Sequence, residues 1–415
     1  MDNTNKSKVP EIRFPGCYNE QCEWIEFTDA WEQRKLGDLA DYKKGPFGSA
    51  LKKDIFVPKS DTTVKVYEQQ NAINKDWHLE RYFITEEYAN KLSGFKVEGG
   101  DIIVSCAGTI GETYEIPMDA EPGIINQALM KIKVKESIVN KKMFNILFTN
   151  MIDDFSRVHS NGSAIKNIPP FSDLKPMKVF LPEMDEQNKI SSYFNNLDNL
   201  ITLSERKCKE YEDLKKCMLQ KMFPRNGSKI PEIRFPGCYN EQGEWIEFTD
   251  EWEQRKLNEF AKYSSSPLTV KDIDENGNYD LYDANGSIGK TDKSPLFDDY
   301  ISIIKDGAGV GRVRKLPKNT SILGTMGALI PQNSDYNFLF SILEKTDFTK
   351  LTSGGTIPHI YFKQYGENTY YIPTLAEQTK IGEYFSNLDN LITLSERKCE
   401  EYKLLKKCML QKMFV

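Results

Sequence analysis

The feature that most limits what this chain can fold into is a long stretch, free of helix breakers, that occurs twice. Glu186–Phe223, EQNKISSYFNNLDNLITLSERKCKEYEDLKKCMLQKMF, returns at Glu377–Phe414 as EQTKIGEYFSNLDNLITLSERKCEEYKLLKKCMLQKMF, identical at 31 of 38 positions. In the first copy Ile190, Phe194, Leu197 and Ile201 step by four and three, and Ser204, Cys208 and Tyr211 continue the row. The second copy repeats it with Ile381, Phe385, Leu388, Ile392, Cys399 and Tyr402. Such spacing places one apolar stripe along one side of a helix. The pattern resumes at Leu214, Met218 and Met222, one residue early for a strict heptad. No Pro or Gly interrupts the first copy, and only Gly382 interrupts the second. At the α-helical rise each helix extends roughly 57 Å. Neither stripe can stay in water, and the simplest burial is one helix against the other as a coiled-coil-like pair. Two ordinary helices buried in separate cores are the alternative.

A chain of 415 residues has room for two or three domains with sizeable cores. No apolar run reaches the length of a membrane span, and the polar start MDNTNKSKVP does not read as a signal peptide. Eight cysteines without a CxxC pair argue against structural disulfides or zinc and fit a cytoplasmic, reducing setting. The net charge of −6 argues mildly against nucleic acid, but local patches rather than totals make an electrostatic footprint.

A second repeat frames the first. Pro10–Leu36, PEIRFPGCYNEQCEWIEFTDAWEQRKL, recurs as Pro231–Leu257, differing only at Cys22/Gly243 and Ala30/Glu251. The offset is 221 here and 191 for the long helices, so the second interior is 30 residues shorter. The chain is therefore a tandem duplication with near-identical borders and divergent middles. It divides into a tail at 1–9, a first domain at 10–182, a helix at 183–223, a linker at 224–230, a second domain at 231–373 and a second helix at 374–415. Inside the middles, Val66–Asn74 echoes Leu281–Gly289, Ile102–Gly111 echoes Ser302–Gly311, and Asn126–Leu129 falls opposite Met326–Leu329. These β-branched runs ending in glycines predict strands closing into turns. Lys141–Val158 and Asn337–Leu351 predict helices, each followed by a polar loop at Ser160–Ser163 and Ser353–Thr356. Thr374 with Glu377 predicts a capping box opening the second long helix.

Few motifs suggest chemistry. Ala284–Thr291, ANGSIGKT, fits a relaxed phosphate-loop pattern, but Pro295 stands where the following helix is needed. Asn167-Ile168-Pro169-Pro170-Phe171 resembles the Asn-Pro-Pro-Phe signature of adenine methyltransferases with an inserted Ile, and reads better as an extended turn. His78, His159 and His359 do not sit at metal spacing, and no nucleophile with its base can be named. What remains are basic clusters: Lys43, Lys44, Lys52, Lys53, Lys59 and Lys65 in the first half, and Lys305, Arg312, Arg314, Lys315 and Lys318 in the second. Such groups bind phosphates, while polar loop residues read base edges. A merely solvated face is the competing reading.

Taken together, PEIRFPG…WEQRKL at Pro10–Leu36 and Pro231–Leu257, LPEMDEQNKI at Leu181–Ile190, IPTLAEQTKI at Ile372–Ile381 and the two KKCMLQKMF endings resemble the specificity subunits of type I restriction-modification systems. DIIVSCAGTIGE at Asp101–Glu112 is similar to their target-recognition domains. The resemblance covers nearly the whole chain. It implies an α+β fold with two target-recognition domains in pseudo-twofold tandem, separated by an antiparallel pair of the long helices. Each domain would read one half of a bipartite site in double-stranded DNA, and the helices would set the gap. Two modification subunits would dock on the repeats and methylate adenine with S-adenosylmethionine, and two restriction subunits would add ATP- and magnesium-dependent translocation and cleavage. The chain itself would bind no cofactor or metal and perform no catalysis. By position in loops, the DNA-contacting residues expected are Lys43, Lys44, Gly48, Ser49, Gln70, Asn71, Gly108, Thr109, Asn161 and Ser163. In the second domain they are Asn285, Ser287, Lys305, Arg312, Ser353, Thr356 and His359. The EWIEF stretch of each repeat has no counterpart in the family pattern and no evident role.

Overall fold

In a computed structural model the described residues are 9–18, 21–158, 167–225, 227–354 and 357–414. They form two compact units, Met1–Ile201 with Glu401–Val415, and Thr202–Glu400. The long helices, Met184–Lys221 and Leu375–Met413, are each shared between the units, the first dividing after Ile201 and the second after Glu400. Among the described residues no helix is long and apolar enough to cross a membrane.

Each unit is built the same way, because the duplicated borders dictate the same frame. In the first, Glu32–Lys35 pairs antiparallel with Lys178–Leu181, tying the end of the N-terminal repeat to the strand that feeds the long helix. In the second, Glu253–Lys256 pairs with Thr369–Ile372 in the same sense. The middles carry a four-stranded antiparallel sheet: Ala40–Lys44, Leu129–Val134, Ile102–Ser105 and Thr113–Glu115 in the first unit. Its counterparts are Ala261–Ser265, Met326–Pro331, Tyr300–Ile304 and Val313–Leu316. The shorter second middle shows in the other sheet. That sheet has four strands in the first unit, with Thr63–Tyr67 parallel to Gly123–Ile125, and three in the second, with Tyr279–Tyr282 parallel to Thr320–Ile322. The echo between Val66–Asn74 and Leu281–Gly289 therefore holds for the strand but not beyond it. Gln69–Ile73 turns into a helix, whereas Ser287–Thr291 folds back as a hairpin strand.

Helix Lys141–Val158 forms as expected, and Asn337–Leu351 resolves into helix Tyr336–Lys345 and a 3₁₀ turn, Phe348–Leu351. The EWIEF stretches also gain a structure. Trp24–Glu26 pairs with Gly16–Tyr18, and Trp245–Glu247 with Gly237–Tyr239, as exposed two-stranded hairpins. Each is topped by an edge-on Tyr–Trp pair, Tyr18–Trp24 and Tyr239–Trp245, with ring centroids 5.1 Å apart.

The helix stripe is buried, but not by a partner helix alone. Ile190, Phe194 and Leu197 enter the first unit's core with Phe144, Phe148 and Met413. Ile381, Phe385 and Leu388 enter the second with Phe338, Met222 and Phe223. Both readings of the stripe are thus partly right. Within each unit the N-terminal half of one helix lies antiparallel to the C-terminal half of the other, with Phe194 against Phe414 and Phe385 against Phe223. Away from these ends the row thins. Cys399 is buried, but Ile201, Cys208, Tyr211, Ile392 and Tyr402 are only half-buried. Leu214 is a correction: it is exposed, and the adjacent Lys215 turns inward instead to Asp389 at 2.7 Å and Glu344 at 2.6 Å. Asp198 plays the part of Asp389 in the first unit, held by Lys406 at 2.6 Å and by Lys142.

The start of each long helix is fixed by one buried group. Arg13 donates through Nε and Nη2 to both oxygens of Glu186, at 2.7 and 2.6 Å. Arg234 does the same to Glu377, at 2.7 Å each, and Trp252 Nε1 adds a 3.3 Å bond. The expected capping box is therefore only half made: Thr374 accepts from the Glu377 amide at 3.5 Å, but the Glu377 carboxylate is spent on Arg234. Next along each helix, Gln187 and Gln378 brace the adjoining helix, accepting from the amides of Asn140 and Asp335 while donating to Pro182 and Pro373. Removing one partner of such a pair strands a buried charge. Arg13→Ala and Arg234→Ala are each expected to destabilise the protein by about 3 kcal/mol in denaturant unfolding. The Arg234→Ala/Glu377→Ala double variant should cost clearly less than the two single changes summed, and additive costs would show the pair to be uncoupled.

Candidate nucleic-acid interface

Strand direction decides which loops meet. In the first unit Lys44 pairs with Met130 and Ser105 with Leu129, so Ala40–Lys44 and Ile102–Ser105 both end where Leu129–Val134 begins. The parallel strands end at the same place, since the Asn126 amide bonds to the Tyr67 carbonyl. Loops 45–50, 68–75, 106–111 and 126–128 therefore share one end of the sheets. In the second unit the same logic gathers 266–270, 283–287, 305–312 and 323–325, with Leu323 bonded to Tyr282 as Asn126 is to Tyr67.

Most sequence-predicted contacts lie on these ends. Lys43 and Lys44 are exposed at the strand end. Lys43 Nζ leans over the Phe95 ring at 5.0 Å. Lys44 lies close enough to Cys106 to oppose the burial that pushes this thiol up to about 12. Gly48 and Ser49 form an exposed 3₁₀ turn. Beside them Phe47 projects at 88% exposure, a residue that sequence reasoning passed over although Pro46 and Gly48 mark its turn. Gly108 and Thr109 form an exposed tip, Gly108 at φ +70°. The tip is braced by Gln69, whose Nε2 donates to Ala107 O at 2.5 Å and Thr109 O at 3.3 Å. Gly111, at φ +84°, closes the turn where an added Cβ would lie 2.6 Å from Ile152 Cγ2, so both its backbone and its space demand glycine.

Three assignments change. Asn71 is 2% exposed and structural: its Oδ1 accepts from the Glu68 amide, and its Nδ2 donates to Asp76 O and Leu79 O, so no group is left for a base. Lys65 leaves the basic cluster. It is fully buried, donates to Trp77 O, lies over the Tyr67 and Trp77 rings, and has its proton affinity lowered by burial. Lys315 half-buries over Phe340 beside Asp389 rather than flanking the glycine turn. Lys59 is paired with Glu80, whereas Lys52 and Lys53 are exposed. Asn161 and Ser163, like His159, lie outside the described residues, as does Thr356.

In the second unit Asp283 Oδ1 accepts from the Asn285 and Gly286 amides, folding a tight turn that exposes Asn285 and Ser287. Arg312 and Arg314 each donate through Nη2 to Ala284 O at 2.7 Å. The turn and the two guanidiniums frame a cleft of about 320 Å³ whose floor includes Ser302 and Met326. Arg314 Nη2 also reaches Asp283 O at 3.5 Å, and these few carbonyl contacts leave each guanidinium most of its five donors, so this cleft suits an anionic or hydrogen-bond-accepting group. Lys305, half-buried at the strand end, holds the loop through its backbone to Thr325 and Ile360. His359 bridges Ser353 through two backbone bonds and gives its Nδ1 to Asp306 Oδ1 at 2.7 Å, next to the exposed Tyr361. The first unit has the corresponding strut: Ala107 bridges Asn167, and Ile168 N bonds Cys106 O.

The Gly-Lys-Thr of the phosphate-loop pattern lies inside Ser287–Thr291, paired residue for residue with Tyr279–Leu281. No helix begins there, so no phosphate cradle forms. A pair of substitutions separates framework from surface in the first loop. Asn71→Ala is expected to cost about 1–3 kcal/mol of stability, since it orphans a buried amide and two carbonyls. Gln70→Ala, exposed one residue away, should stay within about 0.5 kcal/mol in urea unfolding. Equal losses would contradict this division.

Comparison with known proteins agrees with the duplicated frame. Residues 28–212 and 249–403 match the family described as "Type I restriction modification DNA specificity domain". A Methanocaldococcus jannaschii protein named type I restriction enzyme MjaVIII specificity subunit is 22% identical over 425 residues, covering 92% of each chain. A second from that organism, named putative type I restriction enzyme MjaX specificity subunit, is 24% identical over 409 residues with the same coverage. Among solved structures, the S subunit of a type I system from M. genitalium superposes with a TM-score of 0.62 at 17% identity, covering 98% of this chain and 99% of that one. Another, described by complex assembly and conformational transition of the type I system, gives 0.51 at 16% identity, covering 94% and 98%.

Proposed function

Since the chain belongs to the type I restriction-modification DNA specificity family, we propose that it is the DNA-reading subunit of such a complex and catalyses nothing itself. Each unit reads one half of a bipartite site in double-stranded DNA, and the long helices fix the gap between the halves. Two modification subunits dock on the repeated borders and methylate an adenine using S-adenosylmethionine. Where restriction subunits join, again two, they supply ATP- and magnesium-dependent translocation and cleavage of unmodified DNA. The observation that carries this reading is one frame used twice with different side chains at the same sheet end. Lys44, Phe47 and Thr109 stand there in one unit, and Asn285, Arg312 and His359 in the other. Lysines and arginines hold phosphates in register, while Asn, Thr, His and Arg side chains discriminate base edges. Extrusion of the target base costs a few kcal/mol of stacking, which binding energy of the whole assembly offsets. Partner subunits can also supply phosphate contacts, which reconciles DNA binding with a net charge of −6.

The test is to co-express the chain with its modification subunit in a host lacking other adenine methylation and to map methylated adenines by long-read sequencing. A split motif with a fixed gap is expected. Exchanging residues 37–185 for another interior should then change one half-site only. An assembled complex that yields no motif would favour a scaffold role instead. Separately, inserting seven residues into both long helices near Leu203 and Leu394 lengthens them by about 10 Å, equivalent to roughly three base pairs. An unchanged gap would contradict the role of the helices as spacer.

A further inference from the structure

We propose that Phe47 is a wedge that enters one base step of the DNA and kinks it, at the half-site of the first unit only. Phe47 is 88% exposed, more than any other large apolar side chain among the described residues. It packs into none of the apolar clusters of its unit. Its backbone is nonetheless held in place. Pro46 is buried, and the Gly45 amide bonds to Leu129 O at 2.8 Å, where an added Cβ would lie 1.8 Å from Asn126 O. Beyond the ring, the Ala50 amide bonds back to Phe47 O at 2.8 Å, and Ala50 O accepts from the Tyr88 hydroxyl at 2.8 Å. A turn already fixed with its apolar ring in solvent loses little conformational freedom on binding.

The charges around the ring select its partner. Lys43 and Lys44 precede the turn, Lys52 and Lys53 follow it, and no carboxylate stands between Lys43 and Lys53. All four lysines are exposed, and none forms an ion pair within the described residues. Lysines on both flanks of the ring match phosphates on both sides of a groove. The large apolar faces of duplex DNA lie between its base pairs, and an inserted aromatic or aliphatic side chain parts them and bends the duplex. The inference rests on the DNA-reading role, which places DNA at this end of the sheets. Kinking is cheapest at pyrimidine–purine steps, so the step entered should be TA, CA or TG.

The second unit lacks this device. Eight residues separate Lys44, at its strand end, from Lys53-Asp54-Ile55, but only five separate Ser265 from the matching Lys271-Asp272-Ile273. No aromatic residue stands in the shorter turn, its Leu268 is buried, and the exposed Val270 is short. One frame therefore carries a wedge in one copy and none in the other.

The test uses the full chain in complex with its modification subunit, on a duplex that carries the split motif found by methylation mapping and is labelled at both ends for energy transfer. The wild type is expected to shorten the end-to-end distance. Away from the target adenine, 2-aminopurine should brighten at one step of the half-site that changes when residues 37–185 are exchanged. Phe47→Ala should lose both signals and weaken binding by about 5- to 150-fold, the range for removing one ring stacked on a base. Phe47→Leu should keep most of the bend, since aliphatic side chains also act as wedges. Phe47→Ala should melt with the wild type, because the ring has no place in a core. Met118 is 82% exposed at the opposite end of the sheet, where Ile102 pairs with Glu115, and Met118→Ala should change nothing. A bend that survives Phe47→Ala overturns the wedge, as does affinity lost with the bend intact, the result a thymine-methyl contact would give. Failure of Phe47→Ala to hold the modification subunit also overturns it, since the ring would then be a protein contact. A wild-type complex that does not bind the mapped duplex refutes the DNA-reading role itself, and the wedge with it.

Discussion

The bidentate Arg–Glu pair at the head of each long helix is the contact on which the remaining arrangement depends. Glu186 and Glu377 are 2% and 1% exposed in their side chains, so neither carboxylate could be there without its arginine. Each pair joins segments far apart in sequence: the first strand-forming repeat and the start of a helix, 173 and 143 residues away. By fixing the helix origin it also sets where Gln187 and Gln378 reach the adjoining helices, and where Phe194 and Phe385 enter the cores. A guanidinium fork accepts little angular error, which makes it a good device for defining a helix axis. Both near-identical borders supply the arginine of this pair, Arg13 and Arg234.

Much of this organisation was legible because exact repetition and a four–three apolar step leave few alternatives. Strands Ile102–Ser105 and Tyr300–Ile304 also announced themselves as β-branched runs closed by glycines. Side-chain roles were less legible, and for one recurring reason: the deciding partner lies elsewhere in the chain. Lys65 reads as one of a row of surface lysines, yet it alternates inward within Thr63–Tyr67 and meets Trp77. Asn71 has the composition of a base reader but sits where Glu68, Asp76 and Leu79 exhaust its hydrogen bonds. Glu377 fits a capping box by spacing, and only a distant arginine claims it. Leu214 continues an apolar step that Lys215, drawn to Asp389, interrupts. Phe47 was overlooked because an aromatic residue is expected inside, and nothing local says that this one faces solvent.

The division between frame and loops explains how the two interiors can differ so far without loss of fold. Core positions fall on the strands and on helices Lys141–Val158 and Tyr336–Lys345, whereas the loops at the sheet end are held mainly by backbone bonds and a few struts. Gln69 props the first glycine turn, and His359 with Asp306 props the second. The turns themselves need glycine only where φ is positive and space is short, as at Gly111 against Ile152 and Gly311 against Phe348. Side chains between those fixed points are free to change with little effect on stability, which is the condition for altering what a surface recognises.

The same separation of duties runs along the helices. Their ends are apolar and seated in cores, their register is set by Lys215–Asp389 in one unit and Lys406–Asp198 in the other, and their middle is short, polar and thinly packed. A pair stabilised at its ends does not need a particular number of residues between them, provided both helices change together and the antiparallel register is kept. A continuous leucine seam would instead make every inserted turn add its own packing energy and favour slipped registers. Weak packing in the middle thus leaves the cores little affected by a change of helix length there, which is the property that the proposed spacer role requires.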